Sequence, residues 1–389
     1  MAKMHLVICS HKPCWPSPSS PTGYATDGGF SFQMQALSQL FASTSLLVPC
    51  SQNDQPAGEI PLQGHNLSVK PLPPPAGAGL RRKINMLLWV LRNSPRVFHE
   101  IRRADAVHTP IPGDIGTIGM LLAFALRKPL FVRHCGNWFV QKTTAENFWR
   151  WFMERFAGGR NVMLATGGAA EPPSTRTTDV RWIFSTSLTE QELRSYGKVR
   201  ELPPRGRVRL VIACRQELEK GTGVVIESLP LLLNHFPEAT LDVLGDGGAL
   251  QCFKNVAESR GLSGRVTFHG KVNHDGVIRQ FQCADIFCFP TVSSEGFPKA
   301  VLEALACGLP VVTTNVSVLP QLIGRGCGVL LEEARPAAVA GAVRAMLSNE
   351  EQYHAMSARA IETAAEYSLE RWRDTIGDLL RASWQCTLS

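Results

Sequence analysis

Two carboxylates and two cations in the second half of the chain have the types and spacing for work on a charged ligand. Glu295 and Glu303 stand eight positions apart in Ser293–Val312 (SSEGFPKAVLEALACGLPVV). Arg215 and Lys220 stand five apart in Ile212–Gly223 (IACRQELEKGTG). Between the two glutamates, Pro298 suits the first position of a helix, where its missing N–H is not needed. The amides of Phe297, Lys299 and Ala300 then belong to the helix start, where N–H groups lack intrahelical partners and favour an anion. In the first half, His134 ends the run Phe131–Trp138 (FVRHCGNW), beside Arg133 and Asn137.

The elements that must hold these residues are legible around them. Ala284–Pro290 (ADIFCFP) and Leu309–Thr313 (LPVVT) are short apolar runs that read as buried strands. Val301, Leu302 and Leu305 give the intervening helix a face for the sheet, and Gly308 fits its C-terminal cap. The unit is strand, loop, helix, strand, and in such a unit ligands sit at the carboxyl end of the sheet. Glu303, two turns in, reaches that end only from the edge of the helix.

The same alternation runs through the chain. His5–Cys9 is a first strand, followed by a polar loop, then Gly28 and Gly29 before an expected helix over 30–41. That is how a Rossmann-like half opens. Further strands are expected at 46–48, 104–109, 129–133, 162–165 and 182–184, with a helix over 116–126. Pro71–Leu80 (PLPPPAGAGL) reads as an extended loop. Gly197–Val208 (GKVRELPPRGRV) reads as a linker. Beyond it, strands are expected at 210–213, 239–244 and 265–269 and helices over 224–234, 249–259 and 277–283. Leu244–Gly248 (LGDGG) is a strand-end turn in which Gly245 and Gly247 permit close backbone approach. Helical stretches close the chain. The expected domains are 1–197, the linker 198–208, 209–366, and a final helix over 367–389 that crosses back to the first domain.

Length and composition agree with two domains. The chain has 389 residues, 44% of them hydrophobic, an ordinary globular balance. Eleven cysteines form no CxxC pair or regular framework, so reduced thiols in a cytoplasmic protein are expected. No Cys/His cluster has metal-ligand spacing, so no metal is expected. No apolar run reaches the roughly 18 residues needed to span a bilayer, and no signal peptide is evident.

Charge is uneven. Residues 1–200 hold 22 Lys and Arg against 12 Asp and Glu, whereas residues 201–389 hold 18 against 21. Leu80–Arg103 interleaves seven basic residues with an apolar set that includes Leu87, Leu88 and Leu91. Such a segment either lies on an anionic membrane surface or is a core-facing helix with a solvated basic edge. No nucleic-acid-binding module accompanies the charge, so nucleic acid is not an expected partner.

Ser293–Val312 resembles the donor-site signature of glycosyltransferase family 4, written EGFxxxxLEAxAxGxPVV. The resemblance covers about residues 205–370 strongly and the first half weakly. It implies an α/β fold of the GT-B type, two Rossmann-like βαβ domains facing a central cleft. It also implies a metal-independent retaining enzyme that uses a nucleotide diphosphate sugar. By resemblance, Glu295 contacts hydroxyls of the donor sugar, Glu303 holds the ribose, and the amides at 297–300 bind the diphosphate. The segment around Arg215 and Lys220 resembles the family's GRxxxxKG element, which grips the diphosphate, with Cys214 where the family has Gly. The turn at Gly245 resembles its GDGP element. Gly28 and Gly29 resemble the loop under the diphosphate, and His134 the cleft histidine near the sugar. Gln321 departs from the Glu that commonly follows Pro320.

The expected partners are therefore a nucleotide sugar donor, a lipid-linked or saccharide acceptor, and an anionic membrane surface through 80–103. The chain carries no DxD, so Arg215 and Lys220 are expected to supply the positive charge that a metal supplies elsewhere. The alternative is a non-catalytic protein of the same fold that binds nucleotide sugar as a regulator or assembly partner.

Overall fold

Short runs rich in Val, Ile and Leu, buried on both faces, become parallel strands when helices cover the sheet on either side. Both halves of this chain follow that rule. The structure, a computed structural model, describes residues 4–51, 60–75, 77, 79–141, 143–169, 171–294 and 296–385, apart from the side chains of 79–84. It divides into two units. The first takes the chain up to Gly167, Glu171–Ser187, and the chain from Leu369 on. The second takes Gly168–Ala170 and Leu188–Ser368.

In the first unit the main strands are β1 (His5–Cys9), β2 (Ser43–Pro49), β3 (Leu67–Leu72), β4 (Ala106–Ile111), β5 (Leu130–His134), β6 (Asn161–Thr166) and β7 (Val180–Ile183). They lie in the order β3-β2-β1-β4-β5-β6-β7, all parallel. One face packs on the helices Gly79–Arg103, Asp114–Ala125 and Thr144–Phe156 through Trp89, Val97, Ile101, Met120 and Phe152. The other packs on the helices Phe30–Ser38 and Leu369–Trp384 through Met34, Leu37, Trp372 and Ile376. Trp15–Pro16, Tyr24–Thr26 and Ile60–Pro61 form a small antiparallel sheet.

The second unit holds β8 (Arg209–Ala213), β9 (Thr240–Leu244), β10 (Val266–Gly270), β11 (Ile286–Phe289), β12 (Val311–Thr314) and β13 (Gly328–Leu331). Their order is β10-β9-β8-β11-β12-β13, again all parallel. Residues 198–208, read from sequence as a linker, lie in this unit. Arg200 anchors them by donating to Cys307 O, Phe281 O and Gln282 O, carbonyls at the ends of two helices.

Several local features differ from the sequence reading: the helix Leu319–Ile323 and the strand Gly328–Leu331 are additional, and Gly79 and Leu80 open a helix instead of ending a loop. Pro71 and Leu72 belong to β3, not to a loop; β3 is an edge strand, where a proline removes no needed ladder bond. The helices Thr144–Phe156 and Glu190–Tyr196 are additional to those expected. Each starts at a capping box, Thr143 with Glu146 and Thr189 with Glu192, a T-x-x-E signal present in the sequence. Pro298 is the N-cap, so the helix begins one residue later, at Lys299.

Candidate active site

In a doubly wound sheet the strand order reverses between the first and fourth strands, and ligands bind beyond their carboxyl ends. In the second unit those strands are β8 and β11. The sequence-marked residues emerge from these two ends: Arg215 and Lys220 follow β8, and the loop toward the helix Lys299–Ala306 follows β11.

Hydrogen bonds join the two loops. Lys220 ends a short 3-10 turn, Leu218–Lys220, and its Nζ donates to Ser293 Oγ at 2.8 Å. Val292 N donates to Glu219 O at 2.9 Å, and Thr291 Oγ1 to the same oxygen at 3.1 Å. Gly221 follows with φ +89°, and a Cβ there would lie 2.4 Å from Pro290 O. Only glycine lets the two loops approach this closely. Arg215 lies exposed on the same loop.

Gln216 organises this loop, and the sequence reading passed over it. It is fully buried. Its Nε2 donates to Leu244 O at 2.8 Å and Cys214 O at 3.1 Å, and its Oε1 accepts from Thr222 Oγ1 at 2.8 Å. The close approach expected of Gly245 and Gly247 is made to this loop. A Cβ on Gly245 would lie 1.9 Å from Cys214 O, and one on Gly247 2.5 Å from Gln216 O. The only advance signal for Gln216 was a polar residue next to a strand end.

On the other side, the helix Lys299–Ala306 buries Val301, Leu302 and Leu305 as expected, and Gly308 caps its end with φ +72°. Glu303 sits at the edge, with 13% of its side chain exposed. His274, the first residue of the helix His274–Cys283, places Nε2 3.6 Å from Glu303 Oε1, an ion-pair distance longer than a hydrogen bond. Glu303 holds the His274 pKa above its ordinary 6.5, against the opposing effect of burial. Phe297 is buried against Tyr367, with ring centroids 5.6 Å apart, so its backbone rather than its ring is what the loop offers. Pro298 O accepts from Val301 N and Leu302 N. Ala300 occupies the first turn beside Lys299. Glu295 lies outside the described residues.

His134, Gly28 and Gly29 belong to the first unit. Gly28 takes φ +65° and Gly29 is the N-cap of Phe30–Ser38. His134 ends β5, packed edge-on to Trp138 at 5.3 Å between ring centroids. Burial pulls its pKa down to about 4, against smaller opposing effects from the Gly136 backbone and Glu146. It is therefore neutral at pH 7.

Residues 199–363 match the family described as glycosyl transferases group 1. That segment belongs to this family. Among curated proteins, D-inositol 3-phosphate glycosyltransferase of Corynebacterium urealyticum is 30% identical over 171 residues, 42% of this chain and 40% of that protein. Alpha-D-kanosaminyltransferase of Streptomyces kanamyceticus is 25% identical over 320 residues, 76% of this chain and 81% of that protein. The chain spans less than half the length of the first of these. Among solved structures, Anabaena HepE in complex with UDP superposes with TM-score 0.72 at 14% identity, covering 97% of this chain and all of that one. WaaG, a glycosyltransferase involved in lipopolysaccharide biosynthesis, gives 0.63 at 15% identity, covering 96% of this chain and 99% of that one. These likenesses show the fold: α/β, of the GT-B type with two Rossmann-like units.

Proposed function

We propose that the chain is a retaining glycosyltransferase of family 4. It moves a hexosyl or N-acetylhexosaminyl group from a nucleotide diphosphate sugar to a hydroxyl of a lipid-linked or polysaccharide acceptor, without a metal. The observation that carries this reading is the cationic loop of Lys220, hydrogen-bonded to Ser293 across the switch point of the group 1 segment. The names of the relatives and the UDP in the HepE structure support it.

In this reading Arg215 and Lys220 hold the diphosphate. As the bond from the sugar's anomeric carbon to the phosphate oxygen breaks, negative charge grows there, and fixed cations stabilise it more than the ground state. The acceptor oxygen bonds to the same carbon on the same face, and its proton passes to the departing phosphate. Glu303 takes the ribose, Glu295 the sugar hydroxyls, and the amides at 297–300 the phosphates. Gly245, Gly28 and Gly29 shape the backbone around the donor, and neutral His134 offers a hydrogen bond near the sugar.

The acceptor reading extends to a membrane surface. Among the described residues, no helix is long and apolar enough to cross a membrane. Yet Gly79–Arg103 exposes Leu87 and Leu91 by about two thirds, together with Leu88, Arg92 and Arg96. Leucines beside arginines suit peripheral attachment to an anionic, cytoplasm-facing leaflet.

The test is incubation with UDP-, GDP- and ADP-sugars, reading nucleoside diphosphate release with and without candidate acceptors. Acceptor-dependent release supports transfer. Tight binding with no release from any donor supports the non-catalytic reading instead.

A further inference from the structure

Arg133 is 3% exposed, near the carboxyl end of β5. Among the described residues no carboxylate pairs with it, and its Nε has no hydrogen-bond partner. Its guanidinium lies over the ring of Trp372, 5.0 Å from the centroid. A buried charge with neither carboxylate nor full hydrogen bonding is costly, and a stacked indole offsets only part of that.

Buried polar atoms on this face of the sheet that lack partners among the described residues include His108 Nε2 and Thr166 Oγ1, and Trp372 Nε1 on the helix packed against it is another. The pleat puts the strand residues on one face, with His108 and Thr166 to either side of Arg133. His108 is in register with Phe131, two residues before Arg133. Thr166 lies two residues beyond Leu164, which pairs with Arg133. Phe131, Leu164 and Trp372 share one core cluster on this face. His108 stacks on Phe131 at 4.1 Å, and its Nδ1 donates to Phe131 O at 2.9 Å. Its pKa falls to about 3, through burial first and the Arg133 charge second. Nε2 is therefore an open lone pair.

The unpartnered groups are one cation with its N–H, an indole N–H, a hydroxyl and an imidazole lone pair. Buried polar groups are nearly always satisfied, so orphans beside an unpaired cation call for something that fills them. Water can satisfy the neutral atoms but not the charge. We propose that this end of the first unit's sheet binds a phosphate group, with Arg133 as its charge partner and Thr166 and Trp372 as donors. Under the glycosyltransferase reading this phosphate is carried by the acceptor, and only that choice of source rests on the reading.

The experiment is thermal unfolding of the full chain in inorganic phosphate, with sodium chloride at matched ionic strength as reference. It is done in Lys220→Ala, which weakens the donor-side phosphate contacts, and with Arg133→Met or Arg133→Lys added. A saturable phosphate-dependent rise in Tm is expected in Lys220→Ala. Arg133→Met should abolish it. Should that variant fail to fold, Arg133→Lys should weaken the phosphate midpoint at least threefold, because an ammonium lacks the planar fork. Methyl phosphate tests the source: an equal rise assigns the site to a phosphate on a larger molecule, and a rise with inorganic phosphate alone assigns it to the free ion. No rise in Lys220→Ala, or an equal rise after substitution of Arg133, overturns the proposal whatever the chain transfers.

Discussion

Lys220 Nζ donates to Ser293 Oγ at 2.8 Å, tying the loop after β8 to the loop after β11. The bond fixes the position of the ammonium between the two loops. A hydrogen bond to a charged group is worth about 1.5–3 kcal/mol. Ser293→Ala should therefore lower turnover roughly tenfold while leaving the fold intact. Unchanged kcat and KM would show that the ammonium needs no such support.

Gln216→Ala should destabilise the second unit. The substitution removes the side-chain partners of Leu244 O, Cys214 O and Thr222 Oγ1 from a fully buried place. Leaving buried groups unsatisfied costs about 1–3 kcal/mol. Urea unfolding should show the loss as a lower midpoint. An unchanged midpoint would mean that the loop holds itself without this side chain.

The titration of His274 should depend on Glu303. The folded-state pKa of His274 lies above 6.5, chiefly through Glu303. Its stabilising contribution is then full below the unfolded pKa and disappears as pH rises through the folded value. Glu303→Gln should bring the His274 pKa down, read from its ring resonances by NMR. The same variant should bind nucleotide roughly tenfold more weakly if Glu303 holds the ribose. Unchanged affinity would take Glu303 out of the site.

Vesicle binding should require anionic lipid and weaken with salt, because exposed charges are screened over about 8 Å at physiological ionic strength. Replacing Arg92 and Arg96 with Gln should weaken it, and Leu91→Ser should do so even at low salt. Binding indifferent to lipid charge and to these substitutions would remove Gly79–Arg103 from the account.

The strand–loop–helix–strand frame of the second unit was legible because fully buried parallel strands leave short apolar runs, such as ADIFCFP, between breakers. The end of the helix Lys299–Ala306 was legible at Gly308, whereas the capping boxes at Thr143 and Thr189 mark helices that the sequence reading did not include. Long-range chemistry was not. Gly245 and Gly247 are required by Cys214 and Gln216, about thirty residues earlier, and the partner of Glu303 is His274, twenty-nine residues before it. Arg133 and Trp372 lie still farther apart in the chain and meet only in the folded first unit. Such pairings follow from sheet order and register, which local periodicity does not encode.

The central claim is that Lys220, with Arg215, supports the departure of a nucleoside diphosphate without a metal. Its most direct test is nucleoside diphosphate release in EDTA, comparing the wild-type chain with Lys220→Ala on the best donor of the panel. The account predicts that wild-type release survives chelation. It also predicts that the variant, folded by circular dichroism, loses about 10²-fold or more in kcat, as when one preorganised donor is removed. Release abolished by EDTA and restored by Mg²⁺ or Mn²⁺, or near-normal kcat in Lys220→Ala, would contradict it.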